Sequence, residues 1–186
     1  LWLGGLFSSY ACLAASHVDG LTPEQSARDV KILKRTLLEM HPALTKYRSQ
    51  ADIEAAFMRF EARGNAARSA ADMYLAASEM AAAIRCGHTW TNVLNQEGAS
   101  KSTLLEIADK LPFTLMLVAN RWLVMASADA AVETGDEILA VNGMKAADMI
   151  TAMMPYLRAD GSSDGKRLRQ LSNNRGDFSQ MDIIWP

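Results

Sequence analysis

The spacing of apolar residues changes character near residue 87. Before it, apolar positions recur at helical steps. Val30, Leu33, Leu37 and Met40 form one stripe, which predicts a helix beginning at Thr22-Pro23-Glu24-Gln25. There Thr22 caps, Pro23 suits the first helical position and Gln25 completes a capping box, and Pro42 ends the helix. A second helix is predicted from Ser49, with Asp52 in its first turn, Ile53, Phe57 and Phe60 inward, and Gly64 as its stop. A third runs from Ser69 to Arg85 with Met73, Ala77, Met80 and Ile84 inward, and Gly87 closes it. Its many alanines point to close helix–helix approach.

After Gly87 the pattern turns to β. His88-Thr89-Trp90-Thr91-Asn92-Val93 is β-branched and aromatic, which predicts a strand. Residues 95–102 read as a loop and 103–109 as one or two helical turns. Phe113–Val118 and Trp122–Ala126 are predicted strands joined by a turn at Ala119-Asn120-Arg121, hence a hairpin. Asp136–Val141 is a further short strand, followed by the turn Asn142-Gly143. Residues 145–157 read as helix, 160–165 as a loop, 166–171 as helix and 178–185 as a strand.

The chain has 186 residues and a formal net charge of -2, with 49% apolar and 22% charged residues. That is ordinary globular composition, without the basic surplus that nucleic-acid binding needs. The opening LWLGGLFSSYACLAAS is apolar, uncharged and too short to span a bilayer. Its length suits the apolar region of a secretory signal peptide, with Ala14, Ala15 and Ser16 near the cleavage point. A lipoprotein with Cys12 modified and a buried apolar helix are the other two readings. Export to the periplasm or the medium, with or without a membrane anchor, is the expectation. Cleavage would leave Cys86 without an intrachain partner. Ile183-Ile184-Trp185-Pro186 reads as an apolar strand, so the chain is expected to continue past it. The predicted organisation is 1–16 signal remnant, 17–87 helical domain, and 88–186 β-rich region.

No self-contained catalytic motif is present. Of three histidines, His88 lies just past a predicted helix-end glycine, where an imidazole can reach a cleft; a structural histidine bonded to backbone is the competing reading. His41 precedes Pro42 and is expected to act at the helix C-terminus, where a cation meets the negative end of the dipole. Asp160 and Asp164 lack the later acid a calcium loop needs. Lys166, Arg167 and Arg169 read as a solvated helix face. The methionines read as core filling. No metal or organic cofactor is implied.

In order, these segments resemble the N-terminal part of S41 family serine peptidases, which include carboxy-terminal processing and tricorn-like proteases. The resemblance rests on Met40-His41-Pro42 with Tyr47, on Gly87-His88-Thr89, on Leu111-Pro112-Phe113, and on Gly135-Asp136-Glu137-Ile138-Leu139-Ala140-Val141-Asn142-Gly143. The last is similar to a segment of PDZ-like domains, and Ile138, Leu139 and Val141 are expected to be buried in one strand. The resemblance implies an α+β fold: an N-terminal helical bundle, a PDZ-like β-rich region and the start of an α/β catalytic core that this segment lacks. It implies hydrolysis of a polypeptide substrate by a serine lying beyond this segment, so that the segment alone is inactive. His88 matches the position of the tricorn-like general base, although Gly87 stands where that pattern has serine and Cys86 where an acid is common. In the Ser/Lys branch His88 would be structural. A non-catalytic PDZ-like peptide-binding module is the alternative.

Overall fold

A computed structural model describes residues 20–92 and 111–172. Three helices come first: α1 (Pro23–Met40), α2 (Gln50–Ala66) and α3 (Ala70–Ile84). Each begins with a reciprocal capping box, Thr22 with Gln25, Ser49 with Asp52 and Ser69 with Asp72. Two otherwise orphaned N–H groups are thereby satisfied at each start. The expected inward residues Val30, Leu37, Ile53, Phe57, Phe60, Met80 and Ile84 make one buried cluster, with Leu33, Met73 and Ala77 partly buried against it. Met40 is the exception: it is 75% exposed at the last turn of α1. Ser26 is buried too, and its hydroxyl donates to the Ala67 carbonyl at 2.7 Å, tying the start of α1 to the end of α2.

Two predicted helix stops have another purpose. Gly64 lies inside α2, which ends at Ala67 in extended conformation. An added Cβ at Gly64 would stand 2.4 Å from Val30 Cγ2, so the glycine is there to let α1 approach. Gly87 is not the left-handed cap of α3 either; Arg85 is, at φ 59°.

The second half is a small antiparallel sheet with a helix on it. Strands β1 (Phe113–Val118), β2 (Arg121–Ser127) and β3 (Glu137–Ile138) pair in that order. Ala119 and Asn120 both have positive φ, 48° and 61°, as a two-residue hairpin turn requires. Arg121, expected in the turn, is the first residue of β2. A register shift between Thr114 and Leu115 breaks the pairing near Met125.

The predicted strand 136–141 is divided. Leu139 is 71% exposed and separates β3 from β4 (Ala140–Val141), which turns through Asn142-Gly143 into β5 (Met144–Lys145). The expectation that Leu139 is buried with Ile138 and Val141 is therefore corrected. Those two pack on a second cluster of Leu115, Trp122, Val124, Met149, Ile150, Met153, Leu157 and Leu171. Helix α4 (Ala146–Met153) supplies its apolar face to that cluster, followed by a 3-10 turn at Met154–Tyr156. A five-residue helix, α5 (Asp164–Leu168), and a second 3-10 turn at Arg169–Leu171 close the described segment.

The fold is thus mixed helix and antiparallel sheet. Among the described residues, no helix is long and apolar enough to cross a membrane. The expectations for residues 1–19, 93–110 and 173–186 lie outside the described residues, including the leader, Cys12, and the strand at 178–185.

Candidate functional site

The turn at 85–89 is where the two halves meet. Arg85 leaves α3 in left-handed conformation and its carbonyl accepts from the Gly161 N–H at 2.8 Å. Its guanidinium returns the contact, with Nε donating to the Gly161 carbonyl at 2.5 Å and Nη2 to Asp164 Oδ1 at 2.7 Å. Arg85 and Gly161 therefore clasp one another in both directions. Gly161 itself has φ 54°, and the Tyr47 ring packs 3.4 Å from where its Cβ would be. Gly87 sits under the Asp160 carboxyl group, whose carbon would lie 2.7 Å from an added Cβ. A side chain at Gly87 would have to push that carboxyl aside.

The run His88–Asn92 forms no strand. The Thr89 N–H closes a turn onto the Cys86 carbonyl at 3.0 Å, and the side chains that follow are taken up by the surrounding helices and loops. Thr89 Oγ1 meets His41 Nε2 at 2.9 Å, Thr91 Oγ1 meets Ser78 Oγ at 2.6 Å, and the Arg158 guanidinium stacks 4.8 Å from the Trp90 ring centre. β-branched and aromatic composition favours a strand only where a partner strand is offered, and none of the described residues offers one.

His41 is at the C-cap of α1, as its position before Pro42 suggests. Nδ1 accepts the Ala43 N–H at 3.2 Å, which places the ring proton on Nε2, and that nitrogen donates to Thr89. The ring links the end of α1 to the residue after His88.

His88 is exposed at the crest of this turn. Among the described residues no carboxylate or hydroxyl hydrogen-bonds its ring. The geometry brings His41, Arg85, Gly87, Asp160 and Gly161 together around it without assembling a triad on it. Cys86, half-buried next to it, is a free thiol. Lys46 lies over the Tyr47 ring, 5.0 Å from its centre. Hydrogen bonding and charge from Tyr47 raise its affinity for a proton above the ordinary lysine value, with smaller contributions from Cys86 and Asp160.

The acids of the 160–165 loop are used in ion pairs. Asp164 takes both Arg85 and Arg167, and the Arg167 hydrogen bond is the main cause that holds its carboxyl below the usual aspartate range. Lys166 stands 3.6 Å from Asp160. Arg167 departs from the expected solvated face: its side chain is only 12% exposed and also donates to the Met154 carbonyl. Lys166 and Arg169 are exposed as expected. Among the described residues, no group of three or more His, Cys, Asp and Glu is placed to hold a metal ion.

Sequence reasoning singled out His88 but missed Arg85, Asp160 and Gly161 as its surroundings. Arg85 reaches Gly161 and Asp164 across 76 and 79 residues, so no local pattern announces them. No known family model matches the chain, and no curated protein matches it.

Proposed function

We propose that this chain is the front portion of an exported serine peptidase of the S41 type. One observation carries the proposal. The Gly135–Gly143 segment lies as β3, β4 and an Asn-Gly turn between the β1–β2 hairpin and α4, while the Gly-His-Thr turn presents an exposed imidazole on the same side of the sequence as the three helices. Hairpin, Gly-Asp segment, turn and helix in that order support a PDZ-like reading of the second half.

In this reading the nucleophilic serine comes from beyond residue 186. Its hydroxyl gives its proton to His88 as the oxygen adds to the peptide carbonyl, and the imidazolium then protonates the departing amine. The clasp of Arg85 on Gly161 and the His41–Thr89 bond would hold the turn while it does so. A second reading has its own observation. The His88 ring has no acid or hydroxyl partner among the described residues, which suits a peptide-binding module without catalysis.

The test is acylation. The gene product read through past residue 186 should be labelled by a fluorophosphonate and should hydrolyse casein. The 186-residue chain should do neither. His88→Ala in the longer product should lower kcat about 10²–10⁴-fold. Full activity of that variant at unchanged stability would remove His88 from the mechanism, and inhibitor-sensitive turnover by the short chain would put the nucleophile inside it.

A further inference from the structure

A cavity of about 170 Å³ opens between the helices and the second half, away from His88's ring. Its wall carries four guanidiniums: Arg48 from the α1–α2 connection, Arg59 from α2, Arg85 at the end of α3 and Arg167 from α5. Glu79 is the one acid in the lining, and Pro155 contributes an apolar edge.

The neighbouring carboxylates do not neutralise this wall. Glu79 is shared between Arg59, at 3.2 Å, and Arg63. Asp164 is shared between Arg85, at 2.7 Å, and Arg167, at 3.0 Å. Arg48 has only a loose pair with Asp52, at 3.5 Å, and that carboxylate also caps α2. Counting Arg63, which shares Glu79 from outside the lining, five arginines pair with three acids, an excess of two positive charges across the network. Each guanidinium has five N–H donors in a planar fork, so sharing one carboxylate between two of them leaves donors over. Arg167 shows this directly: its Nε is buried and has no hydrogen-bond partner among the described residues. A buried guanidinium N–H without an acceptor is costly.

We propose that this cavity binds an oxyanion, a phosphate or carboxylate group, gripped by Arg48, Arg59, Arg85 and Arg167. Guanidinium forks match both groups in geometry and charge. The donors come from both halves of the fold, so the bound anion braces α2 and α3 against α5. The two sources of such a group are free phosphate and an acidic stretch of polypeptide. This site does not depend on the peptidase reading.

The test measures thermal unfolding of the 186-residue chain with sodium phosphate, or with C-terminally amidated hexaglutamate, against sodium chloride of equal ionic strength. At tenfold excess over Kd, Tm should rise by about 3–5 °C over the chloride control. A shift with phosphate alone identifies a free oxyanion as the ligand; a shift with the peptide identifies an acidic segment. The Arg48→Gln/Arg59→Gln variant should lose the shift while keeping its own unliganded transition, because Arg63 still pairs with Glu79. Should that variant fail to fold, Arg48→Gln alone should weaken the Kd at least about tenfold by titration calorimetry, since losing a charged hydrogen bond is worth that much. No shift beyond chloride with either probe, or an undiminished shift in the variants, overturns the proposal.

Discussion

Gly64 offers a sharp test of how α1 and α2 pack. In a helix interior, Gly→Ala is normally stabilising by about 1 kcal/mol, because alanine has less backbone freedom to lose. Here the new methyl would stand 2.4 Å from Val30 Cγ2, well inside contact distance, while its next neighbours, Phe60 and Met73, lie at an ordinary 3.7 and 3.8 Å. Val30 is β-branched and in a helix, so it has essentially one rotamer and cannot swing aside. Overpacking of this kind costs about 1–3 kcal/mol. Taking about 2 for the clash and about 1 for the propensity, Gly64→Ala should destabilise by about 1 kcal/mol. Val30→Ala removes the obstructing methyls and should itself cost about 2–3 kcal/mol through lost burial and the cavity left. In that background the sign reverses, and Gly64→Ala should stabilise by about 1 kcal/mol. The coupling is therefore about 2 kcal/mol, measurable as a double-mutant cycle in urea unfolding with unchanged m. A stabilising Gly64→Ala in the parent chain, or a coupling below about 0.5 kcal/mol, would refute the close-approach account.

Two further outcomes follow from the clasp and the caps. Arg85→Gly relieves a left-handed φ of 59°, worth about 1–2 kcal/mol, but loses the hydrogen bonds to Gly161 and Asp164. Charged hydrogen bonds are worth about 1.5–3 kcal/mol each, so the variant should be less stable in urea; a gain would mean that the clasp contributes nothing. Asp72 is held below the ordinary aspartate value of 3.8 mainly by the Arg68 backbone N–H, then by Ser69. A lowered folded pKa means stability that is complete above the unfolded value and lost as pH falls through the folded one. The stability difference between the parent and Asp72→Asn should thus be full at neutral pH and shrink as pH drops below 3.8. A difference that stays constant down to the acid limit would show that the carboxylate's charge is not what the cap uses.

The helices were legible because their signals are local. A cap, its partner three residues on, and a stripe at helical spacing all lie within a few turns, and all three starts are found where Thr22, Ser49 and Ser69 put them. The β1–β2 hairpin and the Asn142-Gly143 turn were legible for the same reason. The glycines near helix ends were misread because sequence cannot separate two uses of a missing side chain. Gly64 and Gly87 make room for Val30 and Asp160, whereas the left-handed cap at α3 falls to Arg85. Arginine accepts that backbone because its own side chain secures it through Gly161 and Asp164, which lie far along the chain.

The same reasoning explains why His88's setting was not legible. Its turn is held by Arg85 to Asp164, 79 residues on, and by His41 to Thr89, 48 residues apart. Arg63, which shares Glu79 with Arg59, reaches Tyr156 across 93 residues. No periodicity spans such distances. The position of the imidazole is therefore a joint property of two cores: α1 to α3 set the angle at which α3 ends, and α4 with its 3-10 turn sets where Gly161 receives it. A change that shifts either core moves the turn between them. The clasp thereby fixes the backbone on which His88 is carried, and the two glycines at the meeting point have different constraints. At Gly87 the Asp160 carboxyl would have to shift to admit a Cβ, 2.7 Å away, whereas at Gly161 the Tyr47 ring leaves an ordinary 3.4 Å and the left-handed φ of 54° is what favours glycine.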